Sequence, residues 1–331
     1  MVKKNTLRLE LNKKNFELAG RIIREGGLVS FPTETVYGLG ADALNADAVS
    51  SIYKAKGRPG DNPLIVHISR LEDIEEIAYI EEDKGLPSEI IYKLMDRFWP
   101  GPITFILRKK KSIPYITSGG LSTVGVRMPE SLAAREFISA AGRPIAAPSA
   151  NISGRPSPTT WQDVIEDMDG RIDAVLMGEQ CRVGIESTVV DVTGEIATIV
   201  RPGFITPTMI REITPVRYDE SLDMNPDEKD FKPIAPGMKY KHYAPKAKVR
   251  IARTRSIADK LYSVAKEEGY NAFIIDYKND SKAAAEDFFK RLRKLDRKGA
   301  EIIFIVALCD ADFSYSVMNR MLKSAGYDIA E

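Results

Sequence analysis

The chain has few of the residues that build disulfide frameworks or zinc sites. Its 331 residues include two cysteines and two histidines, at spacings unlike those of zinc ligands: Cys181, Cys309, His67 and His242. We therefore expect neither a disulfide framework nor a zinc site, and reducing surroundings. Both cysteines are interpreted as small packed residues, because neither has a histidine nearby in sequence that would activate a catalytic thiol.

Two further features are missing, a large net charge and a long apolar run. The 48 Lys and Arg residues against 47 Asp and Glu residues give a formal charge of +1. This charge is too small to attract the whole molecule to nucleic acid or to an anionic membrane. No run of about 18 apolar residues occurs, and no signal-peptide pattern follows Met1. We expect a cytoplasmic protein without a membrane partner, in which any basic site is local.

Length and periodicity predict two domains and a connection. Helical and strand-like patterns mix without a regular period over residues 1–214, which predicts an α+β domain with a large twisted, mixed sheet. Residues 215–245 are charged and interrupted by prolines, so they are interpreted as a linker. Residues 246–331 alternate strand, helix, strand, helix, strand and helix, which predicts a small α/β, Rossmann-like parallel-sheet domain. No G-x-G-x-x-G follows its first strand, so no dinucleotide is assigned to it.

A basic run lies where a helical pattern ends. A helix predicted over residues 47–56 runs into Gly57, and Lys56 and Arg58 flank that glycine. Cations set close together suit the spread charge of a polyphosphate. A solvated helix end, favoured by the helix dipole, is the competing interpretation.

Small polar side chains follow an apolar strand near mid-chain. Ser149 and Asn151 come directly after the strand predicted over residues 145–147. They could orient a phosphate or form an ordinary turn. Arg127 ends another predicted strand, where ligands often bind. Arg201 ends a further one, where an anion contact competes with a structural salt bridge, and His67 would by itself be a hydrogen-bonded core histidine. Together these residues favour a nucleotide as the first ligand to consider.

The order of these motifs resembles the YrdC-like threonylcarbamoyl-AMP synthases, in their longer two-domain form. The matching segments are residues 31–40, 56–59, 62–64, 99–104, 126–129, 147–151, 186–191 and 201–203, with residues 235–245 and Met318-Asn319-Arg320 matching the longer form. The resemblance is dense over residues 10–210 and reaches the last domain only at its edges. It implies a YrdC-like catalytic domain followed by an extra C-terminal domain.

The resemblance implies a nucleotidyl transfer. L-threonine, bicarbonate or carbon dioxide, and ATP with magnesium would give threonylcarbamoyl-adenylate and pyrophosphate. A tRNA-modifying threonylcarbamoyl transferase would use that product to make threonylcarbamoyladenosine. Two alternative functions stay open. One is a module that binds RNA without catalysis, although weak RNA contact is also compatible with the enzyme. The other is carbamoyl-adenylate chemistry like that of hydrogenase-maturation relatives, which carry further domains.

The resemblance also implies site residues. Those expected to hold ATP are Lys56, Arg58, Asn62, Thr123, Ser149, Asn151, Ser157 and Arg201, of which Lys56, Arg58, Ser149 and Asn151 would be catalytic. Those expected to hold threonine are Thr33, His67, Arg127, the Ala147 backbone and Ser187. Tyr240 or Tyr243 in the linker could fold over the nucleotide as a lid, and simple packing is the competing interpretation. No side chain is assigned to the metal.

Overall fold

Two β-sheets organise the described part of the chain. The computed structural model describes residues 4–80, 85–223, 243–309 and 313–330. All strands up to Tyr218 join a 12-stranded sheet, and the strands from Lys248 onwards form a separate four-stranded sheet. Among these described residues no helix is both long and apolar enough to cross a membrane.

The large sheet is mixed, as predicted. Its strands are β1 (Leu7–Glu10), β2 (Val29–Phe31), β3 (Gly38–Asp42), β4 (Ile65–His67), β5 (Ala78–Tyr79), β6 (Ile103–Lys109), β7 (Thr123–Arg127), β8 (Ile145–Ala147), β9 (Ala174–Met177), β10 (Thr188–Asp191), β11 (Ala197–Arg201) and β12 (Val216–Tyr218). Their order is β1-β9-β2-β3-β8-β4-β7-β6-β10-β11-β12, with β5 beside β6. β2 is antiparallel to β3 and parallel to β9, while β4 is parallel to β7. The predicted α+β mixed sheet is therefore confirmed.

Within the residues that the structure describes, seven α-helices accompany this sheet. They are α1 (Lys13–Arg24), α2 (Ala46–Lys56), α3 (Ile74–Ile77), α4 (Ser88–Phe98), α5 (Leu132–Ala141), α6 (Trp161–Met168) and α7 (Pro207–Arg211). Side-chain oxygens cap several of them: Asn45 accepts from the first turn of α2, and Thr160 accepts from that of α6. α2 ends at Gly57, whose φ of 62° lies in the left-handed region that glycine adopts at low cost. That turn directs Arg58 back towards the sheet.

The pairing of short buried strands brings polar residues close together. β2, β3, β4 and β8 are buried along their whole length, which explains their continuous small or apolar sequences. His67 and Arg127 are register partners at the ends of β4 and β7. Because β8 is antiparallel to β4, Ala147 leaves the sheet beside Ile65. The residues that follow β8 are thereby placed next to the end of α2.

The second sheet is entirely parallel. Its strands are β13 (Lys248–Ala252), β14 (Ala272–Ile275), β15 (Ile302–Val306) and β16 (Ile329–Ala330), in the order β14-β15-β13-β16. Its helices are α8 (Arg255–Glu267), α9 (Ser281–Arg297) and α10 (Phe313–Ala325). The predicted alternation and parallel sheet are confirmed, with β16 as a strand that the sequence analysis did not include.

Buried charged contacts join the two parts. Arg293 on α9 is fully buried and donates to the carboxylate of Asp167 on α6 (2.8 Å) and to the Pro156 carbonyl (2.6 Å). Arg297, one turn further, bonds to Asp163 at 2.9 Å while remaining about half exposed. A hydrophobic cluster also spans the junction, since Ile185 packs with the core of the second sheet. The C-terminal part is therefore attached next to residues 153–157.

Two expectations need correction. Strand β12 pairs in parallel with β11, although its residues fall inside the segment interpreted as a linker. Cys181 is buried as predicted, but Cys309 is exposed, so the prediction that both cysteines are packed is wrong for Cys309. Tyr240, one of the two lid candidates, lies outside the described residues.

Candidate active site

One cleft gathers most of the predicted site residues. It encloses about 720 Å³ of space open to solvent, between the ends of strands β4, β7, β8 and β11, the end of α2 and the segment around Tyr243. The predicted residues that line it are Lys56, Arg58, Ser149, Asn151, Ser157, Arg201, Tyr243, Thr33, His67, Arg127, Ala147 and Ser187. The binding roles of these residues remain predictions.

Two predicted residues do not line the cleft. Thr123 begins β7 while Arg127 ends it, so about 13 Å of extended strand separates them. Asn62 is buried behind Arg58, and its backbone carbonyl accepts from the Arg58 guanidinium at 3.3 Å. In the part of the chain that the structure describes, the Oδ1 of Asn62 has no hydrogen-bond partner.

At one end of the cleft, Arg127 is held by a buried carboxylate. Its Nη2 donates to Glu34 Oε1 at 2.6 Å and its Nη1 donates to Thr35 Oγ1 at 2.8 Å. The Arg127 and Glu34 side chains are 4% and 5% exposed. Each terminal nitrogen of a guanidinium carries two hydrogens, and these bonds use one on each. An oriented fork therefore remains for an anion such as a carboxylate.

His67 lies beside Arg127 as a neutral ring. Burial, and then the Arg127 charge, lower the pKa of His67 to about 3. Its Nδ1 lies 3.2 Å from the Ile65 carbonyl, and the ring packs edge-on against Phe31. The histidine thus offers an uncharged polar surface at neutral pH.

Two further residues predicted to bind threonine, Thr33 and Ser187, have hydroxyls that are already hydrogen-bonded within the protein. Thr33 Oγ1 donates to the Val36 carbonyl at 2.6 Å, which closes the turn between β2 and β3. Ser187 Oγ lies 2.8 Å from Thr104 Oγ1 and accepts from Arg201 Nη2 at 3.0 Å. These contacts fix the hydroxyls and shape the wall of the cleft. We call the region around Arg127, Glu34, Thr35 and His67 the Arg127 end.

The rest of the cleft contains three cations, of which Lys56 and Arg201 are buried and Arg58 is half-buried. Lys56 Nζ donates to the backbone carbonyls of Ser149 (2.5 Å) and Asn151 (2.6 Å) and has a third hydrogen for a ligand. Burial, followed by the nearby Arg58 charge, holds the pKa of Lys56 well below its usual range. Burial lowers the pKa of Arg58 and of Arg201 to about 10. The positive charge here is costly to desolvate, so an anion would stabilise it.

The loop after β8 is rigid where it faces these cations. Ser149 Oγ donates to Asn151 Oδ1 at 2.6 Å, and the Asn151 amide donates to the carbonyls of Ile152 and Arg155. Within the described part of the chain, the Nε of Arg58 is buried and lacks a hydrogen-bond partner. An unsatisfied guanidinium nitrogen in a cleft wall is suited to an anionic ligand. We call the region of Lys56, Arg58, Arg201 and this loop the cationic end.

Two carboxylates at or next to the cleft wall are absent from the predicted site residues. Glu34 lies in the motif of residues 31–40, and Glu186 begins the motif of residues 186–191, but no role was assigned to either. Glu186 Oε1 accepts from Ser157 Oγ at 2.6 Å within the cleft wall. A carboxylate conflicts with an anion site unless a cation accompanies it, and here arginines lower the pKa of Glu186 against the effect of burial. The acidic residues inside the two motifs were the available signal.

Tyr243 enters the cleft wall from the second part of the chain. It is 6% exposed, its ring packs on Phe289 at 5.0 Å between centroids, and its φ of 63° is left-handed. The next residue, Ala244, donates from its backbone nitrogen to the Gly154 carbonyl at 2.8 Å. Tyr243 therefore both lines the cleft and packs against α9.

Comparisons with known proteins place these observations in a family. The Sua5/YciO/YrdC family model, described as telomere recombination, matches residues 21–203. A second model, the C-terminal domain of threonylcarbamoyl-AMP synthase, matches residues 205–326. The chain belongs to the threonylcarbamoyl-AMP synthase family.

Relatives within this family match along nearly the whole chain. Threonylcarbamoyl-AMP synthase of Pyrococcus abyssi is 41% identical, over 98% of this chain and 97% of its own. The protein of the same name from Bacillus subtilis is 38% identical, over 96% and 95%. The crystal structure of P. abyssi Sua5 complexed with L-threonine superposes with a TM-score of 0.90 at 39% identity, covering 98% of both chains. The long two-domain form inferred for this threonylcarbamoyl-AMP synthase family member is therefore confirmed.

Proposed function

We propose that the protein makes L-threonylcarbamoyl-adenylate from L-threonine, bicarbonate or carbon dioxide, and ATP, with release of pyrophosphate. The observation that carries the proposal is the pairing of the two ends in one cleft. The Arg127 end offers a fork for an amino-acid carboxylate, and the cationic end offers Lys56, Arg58 and Arg201 to a triphosphate. Family membership and the threonine-bound relative support the same assignment.

The reaction requires positioning and charge stabilisation more than a nucleophilic side chain. The neutral amine of threonine adds to carbon dioxide and loses one proton to water, which gives a carbamate. A carbamate oxygen then attacks the α-phosphorus as the bond to pyrophosphate breaks. Charge that builds on the phosphate oxygens is stabilised by buried cations, which act strongly where water is excluded. The buried thiol of Cys181 has a raised pKa and is unsuited to nucleophilic attack.

The residue roles follow from the two ends. Arg127 would bind the threonine carboxylate, with His67, Thr33, Ser187 and the Ala147 backbone around the rest of the amino acid. Lys56, Arg58, Arg201, Ser149, Asn151 and Ser157 would hold the nucleotide and its phosphates, and Tyr243 would shield the labile anhydride from water. Asn62 would act through Arg58, behind the cleft wall.

Magnesium would enter with ATP. In the described lining of the cleft Glu186 is the sole carboxylate, and it already bonds to Ser157 and Arg320. A magnesium ion is commonly held by one or two carboxylates together with substrate phosphates and water. We therefore assign its binding mainly to the phosphates of ATP.

The wider setting is also part of this proposal. The product would pass to a threonylcarbamoyl transferase that modifies tRNA, and the protein would act in the cytoplasm. The parallel C-terminal sheet is proposed to be Rossmann-like in layout, without a dinucleotide. Weak RNA contact would be secondary to catalysis.

Pyrophosphate release tests the function. The protein is incubated with ATP, magnesium and bicarbonate, and with one amino acid at a time. Threonine should give pyrophosphate and an adenylate of matching amount, and serine, which lacks one methyl group, should be about 10- to 100-fold less efficient. Pyrophosphate formed equally without threonine or without bicarbonate would refute the proposal, and salt-sensitive RNA binding without turnover would favour the RNA module.

A further inference from the structure

A helix of the C-terminal part reaches the wall of the cleft through one arginine. Arg320, on α10, is fully buried, and its Nε donates to Glu186 Oε2 at 3.2 Å. The other oxygen of Glu186 accepts from Ser157 Oγ at 2.6 Å. A continuous chain of contacts thus runs from α10 through Glu186 to a hydroxyl of the cationic end.

The same helix clamps the segment that follows Arg201. Arg320 Nη1 bonds to the Pro202 carbonyl, and Ser316 Oγ donates to the Gly203 carbonyl at 2.8 Å. Gly203 lies so close to the backbone of Thr188 that a Cβ there would meet its nitrogen at 2.3 Å. This segment is therefore fixed between β10 and α10, which leaves Arg201 little freedom.

The charges explain why this arginine is needed. Glu186 is a buried carboxylate in a wall that would face phosphates, and an uncompensated carboxylate would repel them. Arg320 is the first of the positive groups that keep its pKa below the usual range, ahead of Arg201. A buried ion pair is strongly perturbed when one partner is removed, since the other charge is left alone.

We propose that Arg320 is a positioning residue of the active site, through which the C-terminal part fixes and neutralises Glu186 and orients Ser157 for the nucleotide. This inference rests on the proposed function for the identity of the ligand. It gives the C-terminal part a direct role in ATP binding and assigns a role to the Met318-Asn319-Arg320 motif. The role does not require contact between Arg320 and substrate.

The test compares binding of two ligands to the full chain. Affinities for the α,β-methylene analogue of ATP and for threonine are measured by calorimetry on wild type, Arg320→Met, Arg320→Lys, Glu186→Gln and the Arg320→Met/Glu186→Gln double variant. Arg297→Ala is the control. Arg297, on α9, also joins the C-terminal part to the first part, but it lies outside the cleft lining. Thermal unfolding of each variant reports on folding separately.

The expected result is selective for the nucleotide. Arg320→Met should weaken analogue binding at least about tenfold, because it leaves a buried carboxylate without its cation, and should change threonine binding less than about threefold. Arg320→Lys should weaken analogue binding about three- to fivefold, since one ammonium cannot reproduce the guanidinium contacts. Adding Glu186→Gln should restore much of the loss in Arg320→Met, and Arg297→Ala should bind like wild type.

Several results would overturn the inference. Unchanged analogue affinity in both Arg320 variants would do so, as would equal losses for analogue and threonine. Losses that simply multiply in the double variant would show that Arg320 does not act through Glu186. If Arg320→Met does not fold, Arg320→Lys and the double variant decide the question. Because binding needs no turnover, failure here is distinct from absence of pyrophosphate release in wild type.

Discussion

The two ends of the cleft compensate a buried carboxylate with cations from different parts of the chain. Each contains a buried arginine bonded to a buried carboxylate. At the Arg127 end both partners, Arg127 and Glu34, belong to the large sheet and its turns. At the cationic end Glu186 lies just before strand β10 of the large sheet, but Arg320 comes from α10 in the C-terminal part.

This difference separates what each part of the protein contributes. The Arg127 end is complete within the segment matched by the first family model, residues 21–203. The cationic end contacts the C-terminal part through Arg320, and Arg293 joins the two parts nearby, at Asp167 and Pro156. Damage to the junction should therefore affect the nucleotide more than the amino acid.

The largest effect is expected for Lys56→Met. This variant removes an ammonium that fixes the loop after β8 and has a hydrogen left for phosphate, so turnover should fall about 100- to 1,000-fold. Threonine binding should change little, since Lys56 is at the other end. The exposed Lys54 on the same helix provides the matched control, and Lys54→Met should keep wild-type turnover. A mild loss of turnover in Lys56→Met would show that the cationic end takes no part in the chemical step.

The junction itself is tested by Arg293→Met. This change leaves the Pro156 carbonyl without its donor and removes one of the arginines at Asp167. It should lower the free energy of unfolding by about 3 kcal/mol, near the low end for a broken buried pair, because Arg155 still accompanies Asp167. Arg297→Ala, which removes a half-exposed partner, should cost less than about 1 kcal/mol in the same urea titration. Equal small losses would indicate that the two parts are only loosely joined.

Arg127→Lys should affect the amino acid selectively. A lysine keeps the charge beside Glu34 but loses the planar fork, so the KM for threonine should rise about 30-fold while that for ATP stays within about threefold. Steady-state kinetics with each substrate varied in turn measures both constants. Arg182→Lys is the control, an exposed arginine paired with Glu130. Equal increases in both KM values would contradict the separation of the two ends.

A smaller effect concerns pH. His67 has a folded-state pKa of about 3 against about 6.5 when unfolded, so the unfolded chain binds one more proton between these values. The stability contributed by neutral His67 is present above pH 6.5 and is lost as the pH falls, with a slope of up to about 1.4 kcal/mol per pH unit. Urea unfolding of wild type and His67→Gln between pH 7 and 5 should show the steeper decline in wild type. Parallel curves would mean that His67 titrates normally in the fold.

Much of the site could be predicted because its cations and hydroxyls lie where a recognisable helix and recognisable strands end, within motifs that resemble the family. Lys56 and Ser149 are far apart in sequence, yet β8 runs antiparallel to β4 and brings them within hydrogen-bond distance. The carboxylates could not be predicted in the same way. Glu34 pairs with Arg127, 93 residues away, and Glu186 pairs with Arg320, 134 residues away. Nothing local in the sequence reveals such pairs.

The fold shows a similar limit. The alternation of the C-terminal part predicted its parallel sheet, because hydrophobic periodicity is local. Strand β12 was missed since it follows Pro215 and precedes the proline-interrupted stretch, so composition indicated a linker. Packing of α10 against the segment after Arg201 is a tertiary contact, and this is why Arg320 carried no predicted role.

A crystal structure with both threonine and the α,β-methylene analogue of ATP tests the division of the cleft most directly. We expect the threonine carboxylate on Arg127 and the triphosphate beside Lys56, Arg58 and Arg201, with the Glu186 to Arg320 contact intact. A nucleotide bound along the C-terminal parallel sheet, or a threonine carboxylate bound at Lys56 and Arg58, would contradict it.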